Sequence, residues 1–203
     1  MGHWGFPIQR GYDPVRFPNG VKPVRDHAAK QGMKFILWFA PEEIWPNTDL
    51  AKEHPEWLMK PGPPGPLDFT NPQAREYITR YMNTVIKEWG IDWWRCDGGP
   101  SLEHWKAGDT DPNRTGMTEM RYVEGYYAFW DAMRAANPGL MLDNCAGGGT
   151  RIDLETSSRS LALWRTDSAV WSVNGHVRGN GSPAKEETAI LNQSINHGLN
   201  RYV

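Results

Sequence analysis

Cysteine is scarce in this chain, with two residues in 203. Cys96 and Cys145 have no metal-binding spacing, and two thiols make no disulfide framework, so a small disulfide-stapled secreted scaffold is excluded. An excess of positive charge is also missing. The formal net charge is −2, which leaves no basic field for a nucleic acid or an anionic membrane surface. No apolar run is long enough to span a bilayer. The opening Met1-Gly2-His3-Trp4 lacks the basic and apolar regions of a signal peptide. Together these features read as a cytoplasmic chain, in which the Asn-x-Ser/Thr matches at Asn113, Asn180 and Asn192 are chance. The six histidines are scattered without zinc spacing. Neither a dinucleotide glycine fingerprint after the first strand nor a Gly-x-Ser-x-Gly elbow is present. The expectation is therefore a chain without metal or cofactor. Asp109-Thr110-Asp111 with Asn113 lacks the Gly and Glu that a calcium loop needs.

What the chain does have is tryptophan, 11 in all. Most of these rings serve a core, but exposed indoles also make platforms for the C–H face of a sugar. The hydrophobic fraction of 39% supports a real core. Apolar runs at 34–40, 67–70, 91–97, 140–145 and 161–167 read as five strands. They alternate with helical patterns at 21–31, 49–54, 72–89, 118–136, 153–158 and 183–197. The best-marked helix has Asn71 as N-cap, Pro72 in its first position and Gly90 as its stop. Residues 60–66 and 98–117 read as loops, the second long enough to be functional. Thr118 then reads as the cap of the helix that reaches about Ala136, with Met120, Val123, Tyr127, Trp130, Met133 and Arg134 at helical spacing. Alternating strands and helices imply an α/β fold with a parallel sheet. The reading is one domain over 1–203, a partial (β/α)₈ TIM barrel of about five βα units.

Two strands end in aspartate, Asp97 and Asp167. The C-terminal ends of barrel strands face one mouth, and paired carboxylates are the working parts of glycoside hydrolysis. Arg95 and Arg165 lie two residues before them, on the same strand face. A guanidinium beside Asp97 would keep a nucleophile ionised, whereas an acid needs the opposite, so Arg165 should either matter less to Asp167 or point elsewhere; structural salt bridging is the other reading of both arginines. The run Ala146-Gly147-Gly148-Gly149 lacks the Lys-Ser/Thr of a nucleotide loop. It reads as backbone passing close to a ligand or another strand.

The motifs Gly32-Met33-Lys34-Phe35-Ile36-Leu37-Trp38-Phe39-Ala40-Pro41-Glu42, Glu53-His54-Pro55-Glu56-Trp57, Trp94-Arg95-Cys96-Asp97, Asp143-Asn144-Cys145-Ala146-Gly147-Gly148 with Arg151-Ile152-Asp153, and Leu163-Trp164-Arg165-Thr166-Asp167 occur in that order. The set resembles the alpha-galactosidase (melibiase) family, glycoside hydrolase family 36. The resemblance implies a retaining (β/α)₈ hydrolase of terminal alpha-galactosides. It implies Asp97 as nucleophile, Asp167 as general acid/base, and Trp38, Arg95, Cys145, Gly147, Gly148, Arg151 and Trp164 as substrate contacts. Gly99 stands where the family usually has Asn, Ala40 where it has Glu, and Gly147 where Ser is common. The family's first strand would precede Met1 and its last two would follow Val203, so open barrel edges are expected to self-associate. A transglycosylase of the same fold and an inactive carbohydrate-binding remnant are the alternatives.

Overall fold

The computed structural model describes residues 12–46, 48–62 and 65–165. Asp167 and the expected helix at 183–197 lie outside the described residues. The chain divides into two compact units between Leu142 and Asp143. The first holds helix α1 (Lys22–Lys30), strand β1 (Ile36–Phe39), and helices α2 (Asp49–Glu53) and α3 (Pro72–Trp89). Strand β2 (Trp93–Cys96) and helices α4 (Leu102–Gly108) and α5 (Met117–Ala136) follow. Strand β3 (Met141–Asn144) straddles the division, and the second unit continues with the single turn α6 (Ala146–Gly149) and helix α7 (Leu154–Arg159). The three strands form a parallel sheet in the order β1-β2-β3.

The helix most clearly marked in the sequence forms as its ends dictate. Asn71 Oδ1 accepts the backbone N–H groups of Gln73 at 2.9 Å and Ala74 at 3.4 Å. Gly90 closes α3 in the left-handed region at φ 66°, where a side chain would be strained. Ala74, Ile78, Met82, Val85 and Ile86 form the buried stripe of α3. The stripe packs with α5 and with Leu37, Trp94, Cys96 and Leu142 of the strands in one hydrophobic cluster.

Several expectations are corrected. Residues 67–70 do not form a strand. Leu67 makes one antiparallel bridge to Leu58, and Asp68 Oδ1 then accepts the N–H and hydroxyl of Thr70, which turns the chain. Leu161 makes a single parallel bridge to Asp143, and 162–165 do not continue as a strand. The apolar runs at 34–40 and 91–97 are buried on one face only. Leu37, Trp94 and Cys96 are buried, whereas Ile36 is 41% exposed and Trp93 and Arg95 are half-buried. The expected loop 98–117 contains α4, whose Ser101 N–H donates to His104 Nδ1 at 3.0 Å. Thr118 does not cap α5. The carboxylate of Asp109 accepts Gly116 N–H at 2.6 Å and Thr118 N–H at 3.0 Å instead. These bonds hold the Asp109 carboxyl below its usual range. The buried face of α5 is Tyr122, Gly125, Tyr126, Phe129, Trp130 and Met133. Met120 and Arg134, placed by spacing on that face, are exposed.

Gly125 sits where α5 crosses the Phe69 backbone. A Cβ there would collide with the Phe69 carbonyl oxygen, which also accepts from Arg75 Nη1 at 2.9 Å. In an ordinary helix interior Gly→Ala gains about 1 kcal/mol. Gly125→Ala is expected to reverse that sign and cost about 1–3 kcal/mol by overpacking. Urea denaturation of the two proteins checks it, and a higher midpoint for the alanine variant would contradict the packing described.

Candidate active site

The site in the first unit is built by the parallel register of β1 and β2. Trp38 stands opposite Arg95, and Phe39 opposite Cys96. Side chains alternate along a strand, so Trp94 and Cys96 enter the core while Arg95 and Asp97 share the other face with Trp38. The ladder runs one residue past β2, because Asp97 N–H donates to the Phe39 carbonyl at 3.1 Å. Asp97 is thereby fixed at the C-terminal edge of the sheet. Its two carboxylate oxygens are held separately. Oδ2 accepts the Trp38 indole N–H at 3.3 Å, and Oδ1 accepts the Gly98 N–H at 2.9 Å. A half-buried carboxylate with one donor on each oxygen has a fixed orientation, as a nucleophile requires.

Beyond β1 the chain turns at Ala40-Pro41, with Glu43 N–H donating to the Ala40 carbonyl at 3.1 Å. This turn separates two neighbouring glutamates. Glu42 is wholly buried and accepts the Tyr122 hydroxyl at 2.6 Å. Glu43 is half-buried and lies against Gly98, so closely that a Cβ on Gly98 would collide with its carboxyl. Glycine is favoured at position 98 by its φ of +84°, and its missing side chain lets the Glu43 carboxyl settle against it. Burial, then the charges of Asp97 and Glu42, push the Glu43 carboxyl up to about 7. Sequence reasoning missed Glu43. The available signal was a second carboxylate directly after a strand end and a proline.

Cys145, Gly147, Gly148, Arg151 and Trp164 belong to the second unit. Cys145 is buried and outside any disulfide, as is Cys96 in the first unit. Ala146, Gly147, Gly148 and Gly149 all have positive φ, from 44° to 97°. A Cβ on Gly149 would collide with the Arg165 carbonyl, so this backbone does pass close to another segment. Within the second unit, Asn144 Nδ2 donates to the Arg151 carbonyl at 3.2 Å, and buried Asp143 accepts the Leu163 N–H at 2.9 Å. These bonds tie the segment before Trp164 to the end of β3. Trp164 and Arg151 are half-buried. Among the described residues no helix is long and apolar enough to cross a membrane.

Comparison with known proteins gives a consistent result. The Melibiase family model matches residues 12–174. Alpha-galactosidase Mel36A of Lactobacillus acidophilus is 32% identical over an alignment of 160 positions that covers 75% of this chain and 22% of that protein. The crystal structure of the alpha-galactosidase from Lactobacillus brevis superposes with a TM-score of 0.66 at 28% identity, covering 76% of this chain and 22% of that one. A variant of the GH36 alpha-galactosidase AgaA from Geobacillus stearothermophilus, solved in complex with raffinose, also gives a TM-score of 0.66, at 25% identity, over 79% of this chain and 24% of that one. The chain thus spans about a fifth of the length of the relatives it matches.

Proposed function

The chain belongs to the melibiase family, and on that premise we propose that it forms part of the catalytic (β/α)₈ barrel of an alpha-galactosidase that hydrolyses terminal alpha-galactosides with retention. The observation that carries the reading is the carboxylate of Asp97, aimed at the sheet edge by the Trp38 indole and the Gly98 N–H. The three parallel strands are three staves of the barrel, and their C-terminal ends face its mouth.

In the proposed reaction Asp97 attacks the anomeric carbon of the galactoside. A C–O bond to Asp97 forms as the glycosidic C–O bond breaks, and Asp167 gives its proton to the departing oxygen. Asp167 then takes a proton from water as the hydroxide attacks the same carbon and releases Asp97. Two inversions give net retention. Arg95 lies on the same face as Asp97, while Trp38 offers its ring to the sugar and its N–H to the nucleophile. Cys145, Gly147, Gly148, Arg151 and Trp164 are proposed substrate contacts in this reading. Carbohydrate is the partner, no cofactor takes part, and the setting is cytoplasmic in this reading.

Raffinose and stachyose occupy crystal structures of the AgaA neighbours, which supports an alpha-galactoside as the substrate class here. Neither a transglycosylase nor a binding remnant is favoured, because the relatives described above are alpha-galactosidases by name. The test of function is proton NMR of the first product released from an aryl alpha-galactoside by the chain. Retention requires alpha-galactose to appear before its anomer. Beta-galactose appearing first would overturn the mechanism.

A further inference from the structure

A second carboxyl group stands beside Asp97 and is unused by the reaction just described. The turn after β1 sends Glu42 inward to Tyr122 and Glu43 towards the sheet edge. The Glu43 carboxyl rests on Gly98, the residue whose N–H holds Asp97 Oδ1. One glycine therefore separates the nucleophile from Glu43. Glu43 also lines an open cleft of about 380 Å³ with Ile44, Trp45, Pro66 and His104. Trp45 is 42% exposed there, so the cleft offers an indole surface together with polar groups, the combination that saccharides use.

We propose that Glu43 is a specificity-determining residue of this site, whose carboxyl in the neutral acid form donates a hydrogen bond to a hydroxyl of the sugar seated at Asp97. The inference rests on the alpha-galactosidase reading and deepens it. A neutral carboxylic acid has an O–H to donate, whereas a carboxylate only accepts. The groups facing Glu43 favour the neutral form. Asp97 comes from the end of β2 and Glu42 from the same turn, and both are carboxyls. His104 of α4 lines the same cleft, with its Nδ1 engaged by Ser101. Tyr122 of α5 is committed to Glu42. Among the described residues no donor meets the Glu43 carboxyl, which leaves it for a ligand. Above about pH 7 Glu43 ionises, loses its donor and sets a second negative charge beside Asp97.

The test is binding of methyl alpha-galactoside to the chain, followed by tryptophan fluorescence at about pH 5.5 and about pH 8.5, on either side of the Glu43 midpoint. Wild type is expected to bind about tenfold more weakly at the higher pH. Glu43→Gln keeps a donor and carries no charge at either pH, so its affinity is expected to stay constant within about twofold. Glu43→Ala is expected to bind about tenfold more weakly than wild type at the lower pH, a loss typical of one hydrogen bond to a ligand. If Glu43→Ala binds like wild type, or if Glu43→Gln retains the wild-type pH dependence, the role of Glu43 is overturned and the alpha-galactosidase reading stands. If wild type binds no alpha-galactoside at either pH, the substrate reading falls and the inference with it.

Discussion

Replacing Asp97 by glycine is expected to reduce hydrolysis of an activated aryl alpha-galactoside by on the order of 10⁴- to 10⁶-fold, the range seen when a covalent nucleophile is lost, and added azide is expected to restore part of the turnover. The reasoning is geometric. Asp97 is the group at the end of β2 whose oxygens are each pinned by one donor. The glycine variant leaves a cavity of carboxylate size below the anomeric carbon. Azide entering it forms a C–N bond as the aryl C–O bond breaks, and a good phenolate leaving group needs no proton. The product is a beta-galactosyl azide, inverted relative to the substrate, because the second displacement at the enzyme no longer occurs. Chromatography and NMR of the product read the anomer. Undiminished hydrolysis by Asp97→Gly would remove Asp97 from the chemistry. An alpha-configured azide would mean that another residue forms the covalent intermediate.

The largest effect on stability is expected at Phe129. This residue is wholly buried in α5. Its ring lies 5.2 Å from Phe69, 5.8 Å from Trp94 and 5.8 Å from Tyr126, centroid to centroid. It joins the helix layer to the very strand that carries Asp97. Phe129→Ala removes these ring contacts and leaves a cavity that rigid aromatic neighbours cannot collapse into, at a cost of about 3–5 kcal/mol. The comparison is Leu154→Ala on α7, where the leucine is 91% exposed and the expected change is within about 0.5 kcal/mol. Chemical denaturation monitored by circular dichroism measures both. Equal midpoints for the two variants would contradict the core assigned here.

What could be read in the sequence follows from where local and tertiary signals agree. Helix α3 was legible to the residue because Asn71, Pro72 and Gly90 satisfy its ends by local chemistry. Strand β2 and the placement of Asp97 were legible because an apolar run stopped by Gly98-Gly99 has few other uses. The start of α5 was not, since its cap is Asp109, seven residues before Gly116. Trp130 and Met133 of its buried face were legible, but Tyr126 and Phe129 were not, because Tyr126 and Tyr127, and Phe129 and Trp130, are adjacent aromatics, and periodicity alone does not choose between them. Helix α4 was hidden by the polar residues around it. In the site, Trp38 and Asp97 were named from the sequence. Their hydrogen bond depends on the β1–β2 register, a contact between residues 59 apart. Glu43 was passed over because its significance comes from burial against Gly98, which no spacing rule encodes.

The most direct measurement is intact mass with peptide mapping after the chain is exposed to a covalent alpha-galactosyl probe. The account predicts one galactosyl adduct, carried by the peptide containing Asp97 and absent from Asp97→Asn. An adduct on any other carboxylate, or no adduct under conditions that label a full-length relative, would contradict it.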